Sequence, residues 1–216
     1  MPLYKVEKTS NNLIIGFWHI KESVNDMLPQ CKLTPVERKI FEGINHEKIK
    51  KQWLAVRLLT AQICGEDKNL YYDEYGKPHC LGVEGVSVSH SGEYAVLAIH
   101  PEEQIGIDFE LVSDNILKIK SKFIGEEEEK QLEAARLTMG DALFYHLIWS
   151  FKEAVYKLYG KKNIIFKENI RIHSITESNP INIQGLLITP QGENLIEGNL
   201  SMENGYVLCY CWYRKI

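Results

Sequence analysis

The sequence lacks the marks of several common protein classes. Its five cysteines, Cys31, Cys64, Cys80, Cys209 and Cys211, include no C-x-x-C pair. An odd count without paired spacing resembles neither a zinc site nor a disulfide framework, and a reducing cytoplasm is the expected compartment. No apolar run approaches the ~20 residues that span a bilayer. The opening MPLYKVEKTS has no signal-peptide apolar core. A soluble, cytoplasmic protein with no membrane partner is therefore expected. Positive charge is not in excess either: 25 Lys and Arg stand against 29 Asp and Glu, a net charge of −4. That balance argues against nucleic acid as the main partner. There is no G-x-S-x-G elbow, so a Ser/His hydrolase finds no support. No linker, low-complexity segment or short-period repeat interrupts the chain.

What remains has a globular profile. The 216 residues, 44% hydrophobic and 25% charged, suffice for one large domain or two small ones. Basic clusters (Lys48, Lys50 and Lys51; Lys161, Lys162 and Lys167) and an acidic run, Glu126 to Glu129, read either as solvated helix faces or as patches for a small anion or an acidic partner. A strand is predicted over 12–20. A helix over 33–44 opens on Thr34, Pro35 and Glu37, the signature of a capping box. A longer helix over 46–65 closes on Gly65. Its apolar stripe runs through Ile49, Trp53, Leu54, Leu58, Ala61 and Ile63, and it leaves Lys48, Lys51 and Arg57 to one side. A turn at Gly76-Lys77-Pro78 precedes a meander of strands at 86–90, 93–100 and 104–114. Helix is expected over 126–137 and, most clearly, over 141–160, ahead of strands to the end of the chain. A long helix followed by antiparallel strands thus occurs twice. The pattern predicts an α+β fold, sandwich-like, of two similar halves at 1–102 and 103–216.

Four stretches carry candidate chemistry. In QIGIDFELVSD (104–114), Asp108 and Glu110 share one strand face. They are either its wet side or two carboxylates ~6.5 Å apart that close on one cation. In WSFKEAVYK (149–157), Trp149, Glu153 and Lys157 form an i, i+4, i+8 row opposite an apolar stripe. Glu153 and Lys157 are either a surface ion pair, worth ~0.5 kcal/mol or less, or a third carboxylate beside a phosphate-neutralising cation. Ser89-His90-Ser91-Gly92 sits at a hairpin tip, where glycine permits close backbone approach. Lys77, between Gly76 and Pro78, offers a cation beside turn N–H groups.

Taken in order, Y-G-K-P, S-H-S-G, G-I-D-x-E and W-S-x-K-E-A-x-x-K closely resemble the 4′-phosphopantetheinyl transferases of the larger, surfactin-synthetase-activating type, over about residues 50–160. The resemblance implies transfer of the phosphopantetheine arm of coenzyme A to a serine of an acyl, peptidyl or aryl carrier protein, releasing adenosine 3′,5′-bisphosphate. It implies two halves related by a pseudo-twofold axis, with coenzyme A in the cleft between them. On the matching residues, Asp108, Glu110 and Glu153 would bind Mg²⁺ with the pyrophosphate, and Lys157 would meet the phosphate under attack. Lys77, Ser89 and His90 would hold the phosphates and nucleotide of coenzyme A. Lys152 would be structural or phosphate-facing. An acid of the 126–129 run would support the metal through water. The base would be Glu153 or a water on the metal.

The match is weaker upstream. Relatives carry a basic residue on the first long helix for the 3′-phosphate, and Lys48, Lys51 and Arg57 compete for that place. Lys161 and Lys162 are candidates for docking an acidic carrier protein. The carrier supplies the nucleophile, which fits the absence of a Ser/His/acid set. Two halves in one chain form a complete site, so a monomer is expected. The alternative is a Mg²⁺-dependent phosphoanhydride hydrolase acting on coenzyme A or nucleotides with the same acids and no protein acceptor. A non-catalytic binding protein is disfavoured by the intact acidic set.

Overall fold

The computed structural model describes residues 3–215. Met1 and Pro2, which head the N-terminal stretch read above, and Ile216 lie outside them. The chain divides into two compact units. The first runs to Asp73 and resumes over Pro78–Glu102; the second takes Glu74–Lys77 and everything from Glu103. Each combines helices with antiparallel sheet, so the chain is α+β.

The first unit contains β1 (Leu3–Lys8), β2 (Ile14–His19), α1 (Val24–Met27), α2 (Pro35–Glu42), α3 (Glu47–Cys64), the ribbon β3 (Leu70–Tyr72) and β4 (Pro78–Cys80), and the hairpin β5 (Gly85–Ser91) and β6 (Tyr94–His100). Its main sheet has the order β1-β2-β6-β5. The capping box forms: Thr34 accepts from the Glu37 N–H, and the Glu37 carboxylate accepts from the Thr34 N–H, which satisfies two otherwise orphaned amides. Leu54, Ala55, Leu58 and Leu59 of α3 join Trp18, Leu97 and Ile99 in the core. The stripe expected on α3 needs correction. Ile49 is 48% exposed, whereas Arg57 is only 8% exposed. The guanidinium enters because Glu37 Oε1 lies 3.4 Å from Arg57 Nε, with both side chains 7% exposed, and because Trp53 stacks beneath it, 3.4 Å from ring centroid to Cζ. A buried charge is tolerated where a partner acid and an aromatic face receive it.

The second unit contains β7 (Ile105–Leu111), α4 (Glu126–Gln131), α5 (Glu133–Met139), α6 (Asp141–Tyr159), α7 (Phe166–Asn169), β8 (Ile170–Thr176), β9 (Ile181–Thr189), β10 (Gly192–Glu203) and β11 (Tyr206–Tyr213). Its sheet has the order β7-β11-β10-β9-β8. The single helix expected over 126–137 is two, broken at Leu132. The apolar stripe of α6 lies on the sheet, with Phe144, Leu147, Ile148, Phe151, Val155 and Leu158 in the core. Cys209 and Cys211 are fully buried on the helix-facing side of β11. Burial pushes both thiols up, as expected for inert apolar residues. Among the described residues no helix is long and apolar enough to cross a membrane.

Candidate active site

The site in the second unit begins with a missing side chain. A Cβ on Gly106 would lie 1.9 Å from Ala154 O and 2.8 Å from Leu158 N. The backbones of β7 and α6 therefore touch, as only glycine permits. On the same strand face as Gly106 come Asp108 and Glu110. In register on β11 stand Cys211, Cys209 and Val207, which belong to the core beneath α6. The helix, not bulk water, covers the acidic face of β7. Asp108 is 1% exposed.

The same contact brings in the next two residues. Lys157 Nζ donates to Asp108 Oδ1 at 2.7 Å. Glu153, one turn earlier on α6, is partly buried. Burial pushes its carboxyl up to about 7, with Lys157 opposing and the charges of Asp108 and Glu110 adding to the rise. Asp108, Glu110, Glu153 and Lys157 are thus electrostatic neighbours, and the structure brings these four predicted residues together. Among the described residues no three acidic, His or Cys side chains already close on one point, and the ammonium of Lys157 neutralises Asp108. The chemistry of the donor set nevertheless suits a hard divalent cation. Three carboxylates supply oxygen ligands, and added positive charge would offset the burial and the repulsion that together raise Glu153.

Lys77 stands at the end of the same helix. Gly76, at φ +89°, opens its turn. Its stem runs against Gly160, the left-handed C-cap of α6. Its Nζ donates to Leu158 O at 2.7 Å and to Gln104 Oε1 at 2.6 Å. A cation there satisfies a terminal carbonyl and the negative end of the helix dipole.

Lys152 is placed differently. It is fully buried and donates to Glu128 Oε2 at 2.7 Å. The other Glu128 oxygen accepts from Ile172 N, also at 2.7 Å. Burial holds the Lys152 ammonium below the usual lysine range. Through Glu128, Lys152 ties α6 to α4 and β8. The acidic run is likewise divided: Glu129 accepts from Lys120 at 2.9 Å and from the Tyr145 hydroxyl. Trp149 packs on Phe123 and Phe166, with centroids 5.2 and 5.5 Å away.

In the first unit, Ser89 is buried and His90 exposed on adjacent positions of β5, so they point to opposite faces. Lys48 and Lys51 line a pocket of about 440 Å³ together with Gln52, Gly92 and Glu93. Arg57 lies elsewhere, in its pair with Glu37.

Two residues of α6 were missed in sequence. His146 and Ser150 are 5% and 0% exposed, and at i, i+4 and i+7 they share a helix face with Glu153; that spacing was the available signal. The Ser150 hydroxyl has no hydrogen-bond partner among the described residues. A buried unsatisfied hydroxyl costs roughly 1–3 kcal/mol. Ser150→Ala is therefore expected to raise stability by about 1 kcal/mol in urea titration. A loss of stability would show that the hydroxyl is satisfied in solution.

Comparison with known proteins bears on this unit directly. The profile of the family described as the 4′-phosphopantetheinyl transferase superfamily matches residues 104–211, a stretch that holds β7 and α6 whole. The protein slr0495 of Synechocystis sp. is 32% identical over 117 residues, covering 50% of this chain and 47% of that protein. The 4′-phosphopantetheinyl transferase AcpT of Salmonella typhimurium is 30% identical over 115 residues, covering 51% and 59%. The 4′-phosphopantetheinyl transferase gsp of Aneurinibacillus migulanus is 36% identical over 91 residues, covering 41% and 37%. The chain thus spans about half the length of the relatives it matches.

Proposed function

Since the chain belongs to the 4′-phosphopantetheinyl transferase superfamily, we propose that it transfers the phosphopantetheine arm of coenzyme A to a serine of an apo carrier protein. The observation that carries this is the seating of Glu153 and Lys157 of α6 over Asp108 and Glu110 of β7, inside the stretch that matches the family.

In this reaction the serine oxygen attacks the phosphorus that bears the pantetheine arm. The bond to the bridging oxygen breaks, and adenosine 3′,5′-bisphosphate leaves with the electron pair. Asp108, Glu110 and Glu153 would hold Mg²⁺, which when bound neutralises charge on the pyrophosphate. Glu153 is the proposed base: its carboxylate, seated with Asp108 and Glu110, takes the serine proton. A carboxylate has lone pairs on both oxygens, so metal contact and proton acceptance are compatible. Lys157 would turn from Asp108 to the attacked phosphate, and Lys77 would place a second cation beside it. Lys48, with Lys51 beside it, is the proposed contact for the 3′-phosphate. Arg57 and Lys152, already paired with Glu37 and Glu128, are left out of this assignment. Two α+β units in one chain support assignment to the larger, surfactin-synthetase-activating type.

The test is incubation with coenzyme A, Mg²⁺ and an apo carrier protein, followed by mass measurement of the carrier. A gain of one phosphopantetheine arm is expected, with none in EDTA. Cleavage of coenzyme A without a carrier adduct would replace transfer by hydrolysis. No adduct with acyl, peptidyl and aryl carriers alike would overturn the proposal.

A further inference from the structure

We propose that His146 is a positioning residue that holds the C-terminal end of β7 against α6 and so sets the spacing of the acidic residues for a divalent cation. This inference rests on the metal assignment above. Gly106 seats the other end of the strand, against Ala154 and Leu158. Asp108 and Glu110 lie between those two points. β11 holds β7 in register as far as Leu111; beyond it, a tie at Ser113 fixes how the outgoing strand meets α6, and Glu110 lies three residues before that tie.

The second fastening is visible at Ser113. β7 leaves its pairing with β11 after Leu111, where Leu111 faces Tyr206, and the last sheet-like bond is from Val112 N to Gly205 O at 3.0 Å. The next amide, Ser113 N, donates to His146 Nε2 at 2.8 Å. The same ring nitrogen lies 3.0 Å from Ser113 O. With the proton on Nδ1 the ring accepts from the Ser113 N–H; with the proton on Nε2 it donates to the Ser113 carbonyl. Either tautomer keeps β7 tied to α6. The direction is consistent, since the early part of α6 meets the late part of β7 and the late part of α6 meets Gly106.

Packing alone does not account for this histidine. Its ring is 5% exposed, and Nδ1 is buried with no hydrogen-bond partner among the described residues. A buried unpartnered nitrogen destabilises a fold, so a hydrocarbon side chain would serve a space-filling role better. The ring also stands near enough to Asp108 to feel its charge. Residues that orient metal ligands from behind typically change metal affinity by about 10–100-fold when removed.

The test compares His146→Gln, His146→Asn and His146→Leu in the full chain. Mn²⁺ binding is read by electron paramagnetic resonance without coenzyme A or carrier, beside thermal unfolding and arm transfer. Glutamine reaches the Nε2 position with an amide; asparagine reaches only the Nδ1 position. His146→Leu and His146→Asn are expected to weaken Mn²⁺ binding about tenfold, with transfer recovering at higher metal concentration. His146→Gln is expected to bind within about threefold of wild type. Should His146→Leu fail to fold, the contrast between glutamine and asparagine decides. Equal Mn²⁺ affinity in glutamine and asparagine variants, or wild-type affinity in His146→Leu, would overturn the positioning role and leave the transferase standing. A wild-type chain that binds no Mn²⁺ would overturn the metal assignment along with it.

Discussion

Replacing Glu153 with glutamine is expected to abolish arm transfer and, at the same time, to stabilise the fold above pH 7. Both effects have one origin. Glu153 sits where burial and the charges of Asp108 and Glu110 raise its carboxyl to about 7, with Lys157 compensating in part. An unfolded chain would ionise it near 4.5. Below that value the group is neutral in both states and affects stability in neither direction. Between 4.5 and 7 the folded state holds the proton and the unfolded state does not, so stability falls as pH rises. Above 7 the full cost is present, up to roughly 3 kcal/mol. Glu153→Gln removes that charge with little change of shape. Its gain should be near zero at pH 4.5 and largest at pH 8, as read by urea titration at the two values. Transfer should fall by about 10³-fold or more, since the variant loses both a base and a cation ligand. In the wild type the ionised form binds the metal, so apparent Mg²⁺ affinity should drop as pH falls through about 7. Transfer within tenfold of wild type in Glu153→Gln would remove Glu153 from the chemistry. Equal stability gains at both pH values would show that its carboxyl is not raised.

The elements that place these residues were legible because each carries a local signal. α6 has a clean apolar stripe and a glycine stop, and it runs over Asp141–Tyr159 against an expected 141–160. The capping box of α2 needs only residues three apart. The acids on β7 follow from a period of two, although alternation left open whether their face was wet. What decided that was Gly106, whose meaning depends on a helix some 50 residues later. The buried charges were not legible for the same reason. Periodicity assigns a lysine or arginine to a helix face, but it does not reveal a distant acid. Lys152 enters the interior to meet Glu128, 24 residues earlier, and Arg57 enters to meet Glu37. β1, with the mixed sequence LYKVEK, is held by its pairing to β2 rather than by a strong pattern of its own. His146 was hidden because its partner is a backbone amide, which no residue type advertises.

Gly106→Ala is expected to be the most damaging single methyl group in the second unit. Its Cβ would stand 1.9 Å from Ala154 O and 2.9 Å from Ala154 C, where a contact below 3.0 Å forces something to move. The obstacle is helix backbone, which cannot rotate away as a side chain would. Overpacking that side chains can absorb costs about 1–3 kcal/mol; here α6 must lift from β7 or the strand must bend, so a loss of about 4 kcal/mol or more is expected. Movement of α6 also carries Glu153 and Lys157 away from Asp108. Where the variant still folds, transfer should therefore fall further than its residual stability alone predicts. Mn²⁺ affinity measured below the unfolding transition should fall with it. A compensating change at Ala154 would not help, because the clash is with its carbonyl oxygen and not its methyl group. If Gly106→Ala instead unfolds within 1 °C of wild type and transfers at the wild-type rate, the backbone contact between β7 and α6 is absent in solution. The seating of the acids under the helix would then need another explanation.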